Sequence, residues 1–190
     1  MNNLPQAPKL SNPVMIDRVL AHIQDYLIEK IGWLNFAFGK VQKLVKLMDG
    51  KEYYYPGVYI GGNEYLNVLP GENLGNRTFF DIDDPQEIDF AQWKRSVITT
   101  KFALICWYDL RTIFPGNQER NTEEIKRQFL RALSEIVMPD GSRIVLDRFY
   151  EDANNIFKKY SLKEVDTQFL MYPYAGLRIE GNIIYREDCK

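Results

Sequence analysis

Between Trp93 and Val137 the chain changes from one periodicity to another. In VITTKFALICWYDL, positions Ile98, Thr100, Phe102, Leu104, Cys106, Tyr108 and Leu110 recur every second residue, the spacing of one face of a strand. Ala103, Ile105 and Trp107 on the alternate positions are also apolar, which predicts a central strand covered on at least part of both faces. After a break at Gly116, Ile125, Phe129, Ala132, Leu133 and Ile136 take helical spacing. Asn121, with Glu124 three residues on, has the form of a capping box at the start of that helix. A long strand and a helix that packs back on it form the expected nucleus of the fold.

Upstream, Asn12 as cap and Pro13 at the first helical position introduce a stripe of Ile16, Val19, Leu20, Ile23, Leu27 and Ile31, ended by Gly32. Strands follow. VQKLVKLM and KEYYYPGVYI flank Asp49-Gly50, a two-residue hairpin signal, and Pro56 marks the second of them as an edge or bulged strand. YLNVLP and NRTFFDI flank Gly71 to Gly75 as a further hairpin or excursion, and the acidic stretch Asp81 to Asp89, with Pro85, reads as a loop. Beyond Pro139-Asp140-Gly141 a shorter helix is expected on Phe149, Ala153, Ile156, Phe157 and Tyr160. The last segment reads as a hairpin about Pro173 to Gly176, with Leu177, Ile179, Ile183 and Tyr185 inward and Arg178, Glu180, Asn182 and Arg186 outward. The prediction is therefore an α+β fold: a mostly antiparallel sheet with an N-terminal helix and two further helices packed on it. Residues 1–12 form an extended arm, and 13–190 a single domain with an aromatic-rich β insertion around 51–89.

Composition narrows the function classes. With 190 residues the chain can build a core without disulfides or metal. Its formal net charge of −2 lacks the basic excess of a dedicated duplex-binding protein. Two cysteines, Cys106 and Cys189, suit a reducing compartment, the opening MNNLPQAPKLSNP lacks the form of a signal peptide, and no apolar run reaches a membrane span. Cytoplasmic synthesis and assembly is the expectation.

Candidate chemistry is sparse. His22 is the only histidine and sits among apolar positions of the first helix, without zinc-site or triad spacing. Asp81, Asp83, Asp84, Glu87 and Asp89 form the densest acidic group, matching no calcium-loop pattern; a solvated acidic face suits them better than a metal site. Gly61-Gly62 and Gly71 to Gly75 lack a phosphate-loop pattern. Cys106 reads as core. No catalytic residue, metal ligand or cofactor is expected. Tyr53, Tyr54 and Tyr55 are consecutive, so they cannot all point inward; with Leu4 and Pro5 of the arm they are the subunit-contact candidates.

Taken together, the N-terminal amphipathic helix, the strand VITTKFALICWYDLRTIFP, the helix EEIKRQFLRALSEIV and the closing LRIEGNIIYRED resemble the tail-terminator and head–tail connector proteins of tailed bacteriophages, over residues 13–48 and 93–187. The section between Lys51 and Asp89 departs from a minimal terminator. The resemblance implies a virion structural protein that assembles as a homo-oligomeric ring, touches neighbouring neck or tail proteins, and lets DNA pass through a lumen without sequence-specific binding. Asp81, Asp83, Asp84, Glu87 and Asp89 are then candidates to face that lumen, where like charge keeps DNA from sticking. The alternatives are an adaptor that binds one protein partner through the tyrosine strand, and a metal-dependent hydrolase or nuclease using the acidic group.

Overall fold

The computed structural model describes residues 10–71, 74–92, 95–117, 119–138 and 141–188. In chain order they form α1 (Met15–Lys30), β1 (Phe36–Lys40), β2 (Gln42–Met48), β3 (Lys51–Gly61), β4 (Glu64–Asn67), β5 (Arg77–Ile82), β6 (Glu87–Gln92), β7 (Arg95–Asp109), α2 (Leu110–Ile113), α3 (Thr122–Glu135), β8 (Arg143–Tyr150), α4 (Ala153–Ile156) and β9 (Tyr174–Asp188). Short 3-10 turns lie at Leu162–Glu164 and Thr167–Leu170. The fold is α+β, with an N-terminal helix and mostly antiparallel sheets.

Strands β7 and β9 are the axis of the main sheet. Each has 15 residues, and their antiparallel register runs unbroken from Arg95↔Asp188 to Asp109↔Tyr174. Outside β9 lies β8; outside β7 lie β6, against its first half, and β5, against its second. Strand β1 is parallel to β5. Parallel neighbours need a long crossover, usually a helix. Here the crossover contains a small antiparallel sheet in the order β2-β3-β4.

The double alternation predicted for β7 is present. Ile98, Phe102, Leu104, Cys106 and Tyr108, with Leu177, Ile179, Ile183 and Tyr185 of β9, bury against Val19, Leu20, Ile23 and Leu27 of α1 and Ile125 and Phe129 of α3. On the opposite face Ile105 and Trp107 pack with Phe79, Val58, Val68, Ile156 and Phe157. Helices thus occupy both sides of the sheet, α1 and α3 on one and the single turn of α4 on the other.

Four local expectations are corrected. Helix α1 begins at Met15 with Val14 at the cap position and no side-chain cap, because the chain stays extended at Val14 (φ −123°, ψ 161°), past Asn12 and Pro13. Helix α3 starts after Asn121 as its spacing predicts, but no capping box forms: the Asn121 side chain makes no cap bond, and Glu124 instead accepts from Arg127 and Gln128. Residues 143–150 are a strand, so Phe149 belongs to β8 and only Ala153–Ile156 is helical. The final segment is one strand preceded by 3-10 turns, not a hairpin.

Gly181 of β9 lies where the register of β8 shifts between Leu146 and Arg148. A Cβ built there would stand 2.1 Å from the Val145 carbonyl oxygen, which is backbone and cannot rotate aside. Gly181→Ala is expected to lower stability by about 1–3 kcal/mol through forced displacement of β8. A shifted urea midpoint reads this directly; an unchanged midpoint means that β8 yields without cost.

Candidate assembly surface

The acidic group predicted from sequence divides in two. Asp81 lies in strand β5 rather than in a loop, because Phe79, Phe80 and Ile82 carry the buried strand past it, and it is only 6% exposed. Its carboxylate meets Lys159 Nζ at 3.0 Å and Arg178 Nη2 at 3.5 Å. Asp83 also engages Lys159. Burial works to lower the Lys159 pKa, but the Asp83 and Asp81 carboxylates outweigh it and hold the ammonium above its ordinary value. Asp81 is thus an internal counter-ion and presents no charge to a lumen. Asp84, Glu87 and Asp89 remain exposed, the last two on β6.

Arg178 explains this arrangement. It alternates away from the α1 face as predicted, yet it is 1% exposed, since the segment around α4 roofs it. Its Nε donates to Glu180 Oε1 at 2.7 Å and its Nη1 to the Ile156 carbonyl at 3.1 Å. Lys158 meets the same Glu180 oxygen at 2.5 Å. Burial favours the protonated Glu180, but Lys158 and Arg178 together hold its carboxyl below the usual range. A second buried cation, Arg77, donates from Nε to the Val68 carbonyl (3.1 Å), from Nη1 to Gly75 (2.9 Å) and from Nη2 to Leu69 (2.5 Å). Burial pushes its pKa down to about 10. Both arginines are structural, and neither role has a local motif.

The remaining sequence candidates have ordinary surroundings. Cys106 is buried, and burial raises its thiol well above the ordinary value. His22 Nε2 donates to the Val137 carbonyl at 2.9 Å, tying α1 to the segment after α3. Tyr53, Tyr54 and Tyr55 are all half-buried. Lys43 Nζ stands 4.2 Å from the Tyr54 ring centre, the Tyr54 hydroxyl donates to Glu52, and Tyr55 packs on the core beneath the small sheet. Leu4 and Pro5 lie outside the described residues.

On the small sheet, exposed apolar groups sit beside the tyrosines. Asp49 (φ 50°) and Gly50 (φ 72°) form the predicted tight turn joining β2 to β3. Register puts Val45 opposite Tyr54 and Leu47 opposite Glu52 on one face, with Leu44, Lys46 and Met48 on the other. Val45 is 54% and Leu47 72% exposed. Pro56 suggested that β3 is an edge or a bulged strand, and its register with β4 does shift between Tyr59 and Gly61. Yet β3 is the central strand and β2 the edge; Pro56 lies just past the end of β4, where Val68 N–H donates to its carbonyl. The free flank of β3 there is taken by Ser161, whose Oγ accepts from Tyr54 N–H and whose own N–H donates to the Tyr54 carbonyl.

Among the described residues, two of the surface clefts are notable for their size. One of about 550 Å³ runs between α1 and the β3–β4 turn, lined by Ile16, Leu20, Val58 and Tyr59. The other, about 500 Å³, lies by Trp107, Arg120, Glu151, Asp152 and Tyr174. Its acids are committed, Glu151 to Lys126 and Asp152 to the amides of Asn154 and Asn155. Among the described residues no three His, Cys, Asp or Glu side chains gather as a metal site. No protein-family model matches the chain, and a search of curated proteins finds no match.

Proposed function

We propose that the chain is a non-enzymatic structural protein of a tailed-phage virion, a ring-forming component of the neck or tail that joins head to tail and lets DNA pass. The observation that carries this reading is the β2–β3 hairpin. It presents Val45 and Leu47 on one face and Met48, Tyr59 and Tyr65 toward solvent elsewhere on the small sheet, beside a strand edge that no described strand covers. Such a hairpin is an aggregation liability in a monomer and a ready contact in an assembly. The succession of α1, the long β7, α3 and the β8–β9 pair supports the resemblance noted from sequence.

Light scattering of the purified chain across concentration, with particle images of the same samples, tests this. The expected result is a plateau at a fixed multiple of 22.3 kDa with closed rings in the images. A mass of one chain up to the solubility limit would overturn self-assembly and leave the single-partner adaptor as the better account.

A further inference from the structure

Resting on the ring reading, we infer that the ring is closed by pairing strand edges: the basic edge β2 of one subunit lies against the acidic edge β6 of the next. The argument begins with which edges are free. The outer side of β1 is engaged by α1, where Gln24 Nε2 donates to the Ala37 carbonyl at 2.6 Å. The flank of β3 is closed by Ser161. Strand β4 has only 4 residues. Among the described strands, β2, β6 and β8 then remain as edges long enough to extend a sheet, with 7, 6 and 8 residues.

Charge chooses among them. Strand β2 carries Lys43 and Lys46 and no acid; β6 carries Glu87 and Asp89; β8 carries Arg143 and Arg148 against Asp147. Lysines on an edge forbid that edge from pairing with its own copy, because two-fold pairing of β2 sets ammonium against ammonium. Pairing β6 with itself is opposed in the same way. Pairing β2 with β8 is again cationic. Strand β6 attracts either basic edge, but the register shift between Leu146 and Arg148 interrupts the donor row of β8, and Asp147 stands at that break. Strand β2 pairs with β3 without interruption.

Side-chain alternation adds an independent agreement. Glu87 and Asp89 share one face of β6, and Ile88, 52% exposed, points to the other. On β2, Lys46 lies on one face while Val45 and Leu47 lie on the other. Any register, parallel or antiparallel, that sets Lys46 across from Glu87 or Asp89 therefore sets Ile88 across from Val45 or Leu47. One pairing sets Lys46 against an acid and covers the two most exposed apolar side chains of β2, while Lys43, on their face, stays over the Tyr54 ring. Among the described residues, the ion pair Lys46 must release is a 3.7 Å contact to Glu164 on the surface, of small worth. A contact between two different patches is head-to-tail, the kind that closes into a ring. It puts Glu87 and Asp89 in the subunit joint and away from the lumen.

The test uses the full chain as wild type, Lys46→Glu, Glu87→Lys and the double variant carrying both. Both sites are exposed, so each variant is expected to melt with the wild type. Each single variant should need a concentration higher by about tenfold or more to assemble, through like charge across the joint. The double variant should assemble near the wild-type concentration, because the reversed pair attracts again. Single variants that form rings as readily as the wild type, or a double variant that recovers nothing, would overturn the edge joint while wild-type rings keep the ring reading intact. A wild type that never assembles overturns both.

Discussion

Arg178→Ala is expected to destabilise the protein by about 3–5 kcal/mol, the cost of removing one partner from a buried ionic network. The guanidinium is almost wholly inaccessible and serves Glu180, the Ile156 carbonyl and Asp81 at once. Its loss leaves the buried Asp81 carboxylate with Lys159 alone and uncouples α4 from β9. Replacing the ionic groups together, as Asp81→Leu with Arg178→Met, should recover part of the loss, since an apolar pair strands no charge. A loss under about 1 kcal/mol for the single variant would mean that water reaches the site. The same network has a pH signature. Glu180 is held below its unfolded pKa, so its contribution is complete above the ordinary glutamate range and disappears as pH falls through the depressed folded value. Glu180→Gln should therefore be weaker than wild type at neutral pH and show a shallower decline in acid, both read from urea midpoints against pH.

Arg77→Met should cost about 3 kcal/mol or more, by a different route. Among the described residues no ion pair is broken; three backbone carbonyls, of Val68, Leu69 and Gly75, lose the donors that permit their burial. Those carbonyls lie where the chain returns from the small sheet to β5. Hydrogen exchange should then accelerate at Val68, Leu69 and the β3–β4 pairing before the main sheet is affected. Arg77→Lys should restore only a fraction, because a point ammonium cannot span three acceptors. Uniform acceleration across both sheets would mean that Arg77 serves the whole core and not this crossing.

What could be read in the sequence was whatever local periodicity encodes. The two-sided burial of β7, the stripes of α1 and α3, and the Asp49-Gly50 turn follow from neighbours a few positions apart. Segment 143–160 was misread because Phe149 lies near the end of strand β8, and the next apolar groups, Ala153, Ile156 and Phe157, continue at helical spacing; the period changes within a few residues. Alternation gave Arg178 its correct side, but nothing local indicates that the side is roofed. Asp81 appeared as one of five surface acids because its cation, Lys159, comes 78 positions later. The proposed assembly surface was half legible: the hairpin was evident, whereas its most exposed apolar groups proved to be Val45 and Leu47, on the strand paired with the tyrosine strand.

The position of β9 bears on when the fold can be completed. Of the strands in the main sheet it is synthesised last, yet it lies between β7 and β8. Helix α1, made first, meets it through Arg18 and Glu187, 3.1 Å apart across 169 residues of chain. Leu177, Ile179, Ile183 and Tyr185 complete the core under α1 and α3, so that core stays open on the ribosome until they have emerged. Contacts of such long sequence separation form slowly. Among the described strands β6 pairs with β7, and β7 gains its full-length neighbour only with β9. The sheet that carries β6 therefore reaches its full register only after β9 has been made.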